Sequence, residues 1–108
     1  MKKREVVKDN HLFNSIIDNG QKVKNNYFVL YYNKVSEVTP KFGIAVGKKV
    51  GNAVTRNKYK RKIRSIVDSN KLLFPMNYNY IIIVRKECLE LSHQKLNDNL
   101  VELIEKVK

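Results

Sequence analysis

The sequence predicts an α+β fold, an α/β sandwich with a small mixed sheet packed against helices in the order α-β-β-α-β-α. Three observations carry that expectation. Apolar residues recur at helical spacing in three separate segments. Three other short segments are dominated by β-branched, aromatic and small apolar residues. Glycine and proline are scarce, four and two among 108 residues, so the elements join through short connections. That length is one domain's worth, and residues 1–108 are expected to form a single domain.

The first helix is expected over residues 9–18. Asp9 is a suitable N-cap, and Leu12, Phe13, Ile16 and Ile17 form one apolar stripe. Asn19-Gly20 reads as a left-handed stop. A strand follows over 27–32, with Phe28, Leu30 and Tyr32 on one face and Tyr27, Val29 and Tyr31 on the other. A loop over 33–40 leads to a second strand, 41–46, and the two read as an antiparallel hairpin. A glycine-bearing turn then opens a helix over 53–67 with Tyr59, Ile63, Ile66 and Val67 on its apolar side. Arg56 falls near the edge of that side. Residues 79–84 include the continuous run Tyr80-Ile81-Ile82-Ile83-Val84, which suits a central strand buried on both faces. Ser92 caps a last helix whose core stripe is Leu96, Leu100, Leu103, Ile104 and Val107.

Charge narrows the function. Lysine and arginine total 22 against 10 acidic residues, a formal charge of +12. Like charges at that density repel one another unless a polyanion is bound. Nucleic acid is the first partner such a balance implies, and an anionic membrane surface is the second. A basic surface kept only for solubility is the bland alternative. No apolar run approaches the roughly 20 residues that span a bilayer. No apolar segment follows Met1-Lys2-Lys3-Arg4, as a secretion signal would require. A soluble, cytoplasmic protein is expected.

The charge is concentrated. Between residues 48 and 64 eight residues are lysine or arginine and none is acidic. A solvated helix normally mixes signs at i,i+4, so this stretch points to phosphates, whose neutralisation releases counterions. Arginine grips phosphate with a planar fork and lysine as a point charge. Asn57 adds an amide for a sugar or base edge, and Gly51 lets backbone approach an anion closely. Phe13, Ile17, Tyr27, Val29 and Tyr31 read as core; the alternative is an aromatic floor on which unpaired bases stack.

A self-contained enzyme is hard to build from the rest. The acids are scattered, whereas metal-dependent nucleases cluster carboxylates around divalent ions. His11 and His93 lie far apart in sequence. Cys88, the single cysteine, can close no intramolecular disulfide and reads as a small hydrophobe. No catalytic residue and no metal site is expected on the chain.

The stretch Phe42-Gly43-Ile44-Ala45-Val46-Gly47-Lys48-Lys49-Val50-Gly51-Asn52-Ala53-Val54-Thr55-Arg56-Asn57-Lys58-Tyr59-Lys60-Arg61-Lys62-Ile63-Arg64 closely resembles the signature of the bacterial ribonuclease P protein component. In that family a Lys-Lys-x-Gly-Asn-Ala-Val turn leads into a helix bearing an Arg-Asn-Arg motif. The resemblance extends from about residue 8 to 107 and includes Phe13 ahead of Gly20, Phe28-Val29-Leu30-Tyr31 and Tyr80-Ile81-Ile82-Ile83.

The resemblance implies an α/β sandwich with a left-handed crossover around the motif helix. It implies an endonuclease, a ribonucleoprotein hydrolase that matures the 5′ end of tRNA, whose catalyst is the RNA subunit using bound Mg2+. The protein would contact the ribonuclease P RNA through Arg56, Asn57, Lys58, Lys60, Arg61 and Arg64. The 5′ leader of precursor tRNA would lie in a cleft including Phe13, Ile17 and Tyr31, with Lys48 and Lys49 near its mouth. One protein copy per RNA, and no membrane, is the expectation. This chain departs from the family pattern at Lys58, usually arginine, at Gly47, where serine is common, and at Ile17, often aromatic. The competing readings are another RNA-binding protein, such as a ribosomal or assembly factor, a membrane-surface protein, and a protein-only nuclease.

Overall fold

The Asp9 carboxylate accepts a hydrogen bond from the His11 amide at 2.9 Å and opens α1, Asn10–Asn19. The computed structural model describes residues 5–107; the Met1-Lys2-Lys3-Arg4 segment lies outside the described residues. Helix α1 ends at Gly20, though not through a left-handed turn, because Gly20 is extended at φ −82°. Glycine is required there for space. A Cβ would lie 2.4 Å from the Ile16 carbonyl oxygen and 2.7 Å from that of Tyr32.

A short edge strand that the sequence pattern does not predict follows, β1 (Gln21–Lys24), pairing antiparallel with β2 (Phe28–Lys34). The Asn25 side-chain oxygen closes their turn by accepting from the amides of Tyr27 and Phe28, both at 2.9 Å. Then come β3 (Phe42–Val46), α2 (Ala53–Ser69), β4 (Tyr78–Val84) and α3 (His93–Ile104). The principal order α-β-β-α-β-α holds with β1 added. Ser92 caps α3 as expected, accepting from the Lys95 amide.

The sheet order is β1-β2-β4-β3, so the expected hairpin between β2 and β3 does not form. Strand β4 lies between them, antiparallel to β2 and parallel to β3, with Ile82 opposite both Leu30 and Ile44. The apolar run of β4 explains the arrangement: side chains apolar on both faces are covered best at the centre of a sheet. The connection from β2 to β3 swings past the start of β4, where the Val35 amide donates to the Asn77 carbonyl at 2.7 Å.

The two sheet faces carry different cores. Phe28, Leu30, Tyr32, Tyr80, Ile82 and Val84 pack beneath α2 and α3, whose buried stripes are those read from the sequence. On the other face α1 seals a smaller cluster of Val7, Ile16 and Ile81, flanked by Leu12, Phe13, Ile17, Tyr31 and Ile83. Tyr27 departs from the expected alternation: it sits in the Asn25 turn ahead of β2 and packs against the main core. Among the described residues no helix is long and apolar enough to cross a membrane.

Candidate nucleic-acid interface

The basic helix is fixed at its start. Gly51 adopts φ 155°, a conformation that favours glycine, and a Cβ there would press on the Thr55 side chain at 3.1 Å. Asn52 then caps α2, its side-chain oxygen accepting from the Thr55 amide at 3.0 Å. Val50 is buried and anchors the 3-10 turn Lys48–Val50. The turn and the helix therefore present their cations from a rigid frame.

Burial sorts those cations. Tyr59, Ile63, Ile66 and Val67 are committed to the core, so α2 keeps no apolar face for a bilayer. Asn57, Lys58, Arg61 and Arg64 are exposed, as are Lys48 and Lys49; Lys60 is half-buried. Arg56 is half-buried as well, and its Nε is buried without a hydrogen-bond partner among the described residues. Lys62 Nζ lies 5.0 Å from the centroid of the Tyr59 ring, an internal cation–π contact. Among the described residues none of the eight cations from Lys48 to Arg64 pairs with a carboxylate. Asp68, the one acid of α2, stands 3.4 Å from Lys71 Nζ instead.

Phe13 and Ile17 on α1 and Tyr31 on β2 are half-buried and meet in one cluster. Gly43 makes room for this. A Cβ there would stand 2.6 Å from Ile81 Cδ1 and 3.1 Å from the Phe13 ring, so the ring lies directly on β3. Beyond the Tyr31–Ile81–Gly43 row comes the row Val29–Ile83–Ala45, also half-buried. Ile83 in turn lines a cavity of about 600 Å³ bounded by Gly47, Lys48, Lys49, Arg85, Lys86 and Glu87. Successive sheet rows thus connect the half-buried Phe13, Ile17 and Tyr31 cluster to a hollow rimmed by cations at the end of the sheet.

Arg85 and Lys86, which line the same hollow as Lys48 and Lys49, are not singled out by the sequence alone. Their signal is a cation pair directly after the β4 run. It acquires meaning only once the parallel pairing of β3 and β4 sends both strands out at the same end, beside Lys48 and Lys49.

No catalytic constellation appears in the remainder of the described residues. His11 and His93 are exposed on helices that pack against opposite faces of the sheet. Among the described residues no group of three or more His, Cys, Asp or Glu side chains comes together. Cys88 is fully buried, its thiol donates to the Tyr27 carbonyl at 3.1 Å, and burial pushes its pKa up to about 11. That is the small-hydrophobe role expected of it.

An α+β sandwich with a cationic helix that lacks carboxylate partners among the described residues, and a cation-rimmed hollow, defines a basic protein built to meet a polyanion. The comparisons with known proteins give this class a family. The Ribonuclease P family model matches residues 1–108. The ribonuclease P protein component of Mycoplasma capricolum is 44% identical over 109 residues, covering 100% of both chains. The solved RNase P protein of Thermotoga maritima superposes with a TM-score of 0.89 at 29% identity, over 97% of this chain and 99% of that one. That of Staphylococcus aureus gives 0.87 at 30% identity, over 96% and 95%. The chain belongs to the family of bacterial ribonuclease P protein components, the protein side of a tRNA-processing ribonucleoprotein.

Proposed function

We propose that this chain binds the catalytic RNA of ribonuclease P through α2 and the turn before it. In the same reading it holds the single-stranded 5′ leader of precursor tRNA in the cleft between α1 and the sheet, and so assists endonucleolytic 5′ maturation. The observation that carries this is the α2 face, where Arg61, Arg64, Lys58 and Asn57 stand exposed with no carboxylate partner among the described residues. Phosphates complete what the fold leaves open, and each contact releases counterions. In this reading the half-buried Phe13, Ile17 and Tyr31 meet unpaired bases, and Lys48, Lys49, Arg85 and Lys86 continue the track for the leader's phosphates.

The chemical step belongs to the RNA in this reading. The RNA would hold magnesium, which would supply Lewis-acid chemistry at the reacting phosphate. The protein's residues position the substrate and reduce the repulsion between two polyanions. One protein copy serves each RNA, and the complex works in the cytoplasm.

The test is cleavage of a precursor tRNA carrying a labelled 5′ leader at low magnesium. The protein alone, a bacterial ribonuclease P RNA alone, and both together are compared. Cleavage at the leader junction that is strong only with both is expected. Absence of stimulation would leave a basic RNA binder with another client, such as a ribosomal particle. Cleavage by the protein alone would refute the assignment of chemistry to the RNA.

A further inference from the structure

Val54 is 77% exposed, an apolar side chain in the first turn of the helix that carries the cations. Val38, Leu72 and Met76 share the rim of one hollow near the C-terminal end of α2, the opposite end from Val54, and Leu73 and Leu89 are less exposed, at 51% and 45%. Val54 stands by itself among polar and cationic neighbours.

Its position is fixed. At about 100° per residue, Val54 shares an arc with Asn57, Lys58 and Arg61, nearly opposite the buried stripe of Tyr59, Ile63 and Ile66. The Asn52 cap and the contact of Thr55 with Gly51 hold the first turn, turning Thr55 inward and leaving Val54 outward. A β-branched side chain in a helix has essentially one rotamer, so little freedom remains to be lost on contact. Phosphates satisfy the neighbouring cations but give a methyl group nothing. In RNA the surfaces that do are the face of an unstacked base and the ribose edge.

We infer that Val54 is a specificity contact of the α2 interface: it packs on the face of an unpaired nucleotide of the catalytic RNA, while Asn57, one turn on, reaches that nucleotide's polar edge. The inference rests on the proposal that α2 binds this RNA. Charge complementarity selects RNA as the occupant, since Lys58 and Arg61 flank the side chain on the same arc.

The experiment measures affinity for a bacterial ribonuclease P RNA across a series of salt concentrations, for the wild type, Val54→Ala, Val54→Thr and Arg61→Ala. Thermal unfolding of each free protein is followed in parallel. Loss of an apolar contact leaves the counterion count unchanged. Val54→Ala and Val54→Thr are therefore expected to weaken binding about fivefold at every salt concentration, with the log–log slope unaltered. Arg61→Ala should reduce the slope by about one. Wild-type affinity in both Val54 variants, with Arg61→Ala weakened, would overturn the inference and leave the α2 reading standing. Wild-type affinity in all three would overturn that reading too. A loss in the Val54 variants that tracks a lowered melting temperature would mean the side chain only props the turn. A change in self-association without a change in RNA affinity would assign Val54 to a protein contact, and either result refutes it.

Discussion

Replacing Gly43 by alanine separates the two faces of the sheet. The new Cβ would stand 2.6 Å from Ile81 Cδ1 and 3.1 Å from Phe13 Cε2. Carbon atoms pack at about 3.5–4.0 Å, so close to 1 Å of overlap with Ile81 must be relieved. Ile81 is fully buried and cannot simply swing out. Overpacking of this kind costs about 1–3 kcal/mol. The lower chain entropy of alanine in the unfolded state returns about 0.4–1 kcal/mol. A net loss of about 1–2 kcal/mol follows, a fall in melting temperature on the order of 4–15 °C for a domain this size. Phe13 is the other partner and must move, so the cleft it forms with Ile17 and Tyr31 deforms. Helix α2 packs on the opposite face and keeps its cations in place. Denaturant titration, with binding of a labelled single-stranded leader and of ribonuclease P RNA measured separately, reads both faces. Stability and leader affinity should fall while RNA-subunit affinity stays within about twofold. A variant more stable than the parent, as an unhindered glycine-to-alanine change in a strand would be, refutes the close approach of Phe13 to β3.

Gly47 precedes the 3-10 turn with φ −74°, no side-chain cap, and open space where a Cβ would stand, so Gly47→Ser should raise stability by a few tenths to about 1 kcal/mol in denaturant titration. A decrease would mean that the hollow beside Lys48 is already filled. Burial raises the Cys88 thiol from an ordinary 9.0 to about 11, so the folded state holds a proton that the unfolded chain releases first. Stability should therefore be flat below pH 9, fall as pH rises from 9, and level off above 11, by about 2–3 kcal/mol in all for this group. Cys88→Ala should flatten that decline in a pH series of unfolding curves, leaving the shares due to Tyr59 and Tyr80, both of which burial also raises.

The helices were legible in the sequence because their signals are local. Asp9 and Ser92 cap as their types predict, and the stripe from Leu96 to Ile104 needs only its own spacing. Strand pairing was not legible, because it is settled between distant segments. Strands β2 and β3 are neighbours in the chain, yet β4 outcompetes β3 for the side of β2, since its isoleucines need cover on both faces. Strand β1 is hidden for a different reason. Gln21, Lys22 and Lys24 are exposed and only Val23 is half-buried, so an edge strand here carries almost no hydrophobic pattern. The cations of α2 were evident as a run. Their division was not, because the contact of Lys62 with Tyr59 and the burial of Arg56 Nε depend on where the helix lies on the sheet. Arg85 and Lys86 come beside Lys48 and Lys49 only through a parallel pairing that no local signal announces.

The same division explains how α2 can carry so many like charges. Isolated in water, Arg56, Lys60 and Arg64 would repel at i,i+4, as would Lys58 and Lys62, each pair at a cost of a few tenths of a kcal/mol. Acidic partners along the helix would offset that repulsion, but they would also compete with phosphate for every cation. In this fold the compensation comes from the opposite side of the helix, where Ile63, Ile66 and Val67 are almost wholly buried against the sheet. A fully buried aliphatic side chain contributes about 1.5–3 kcal/mol, so the three together outweigh the repulsion of the whole arc. Core packing, which no phosphate can displace, holds the helix, and the charged arc stays available. The residual repulsion is then relieved only by a polyanion, so binding and folding are linked: RNA at a hundredfold excess over its dissociation constant would add about 2.7 kcal/mol to the stability of the folded chain.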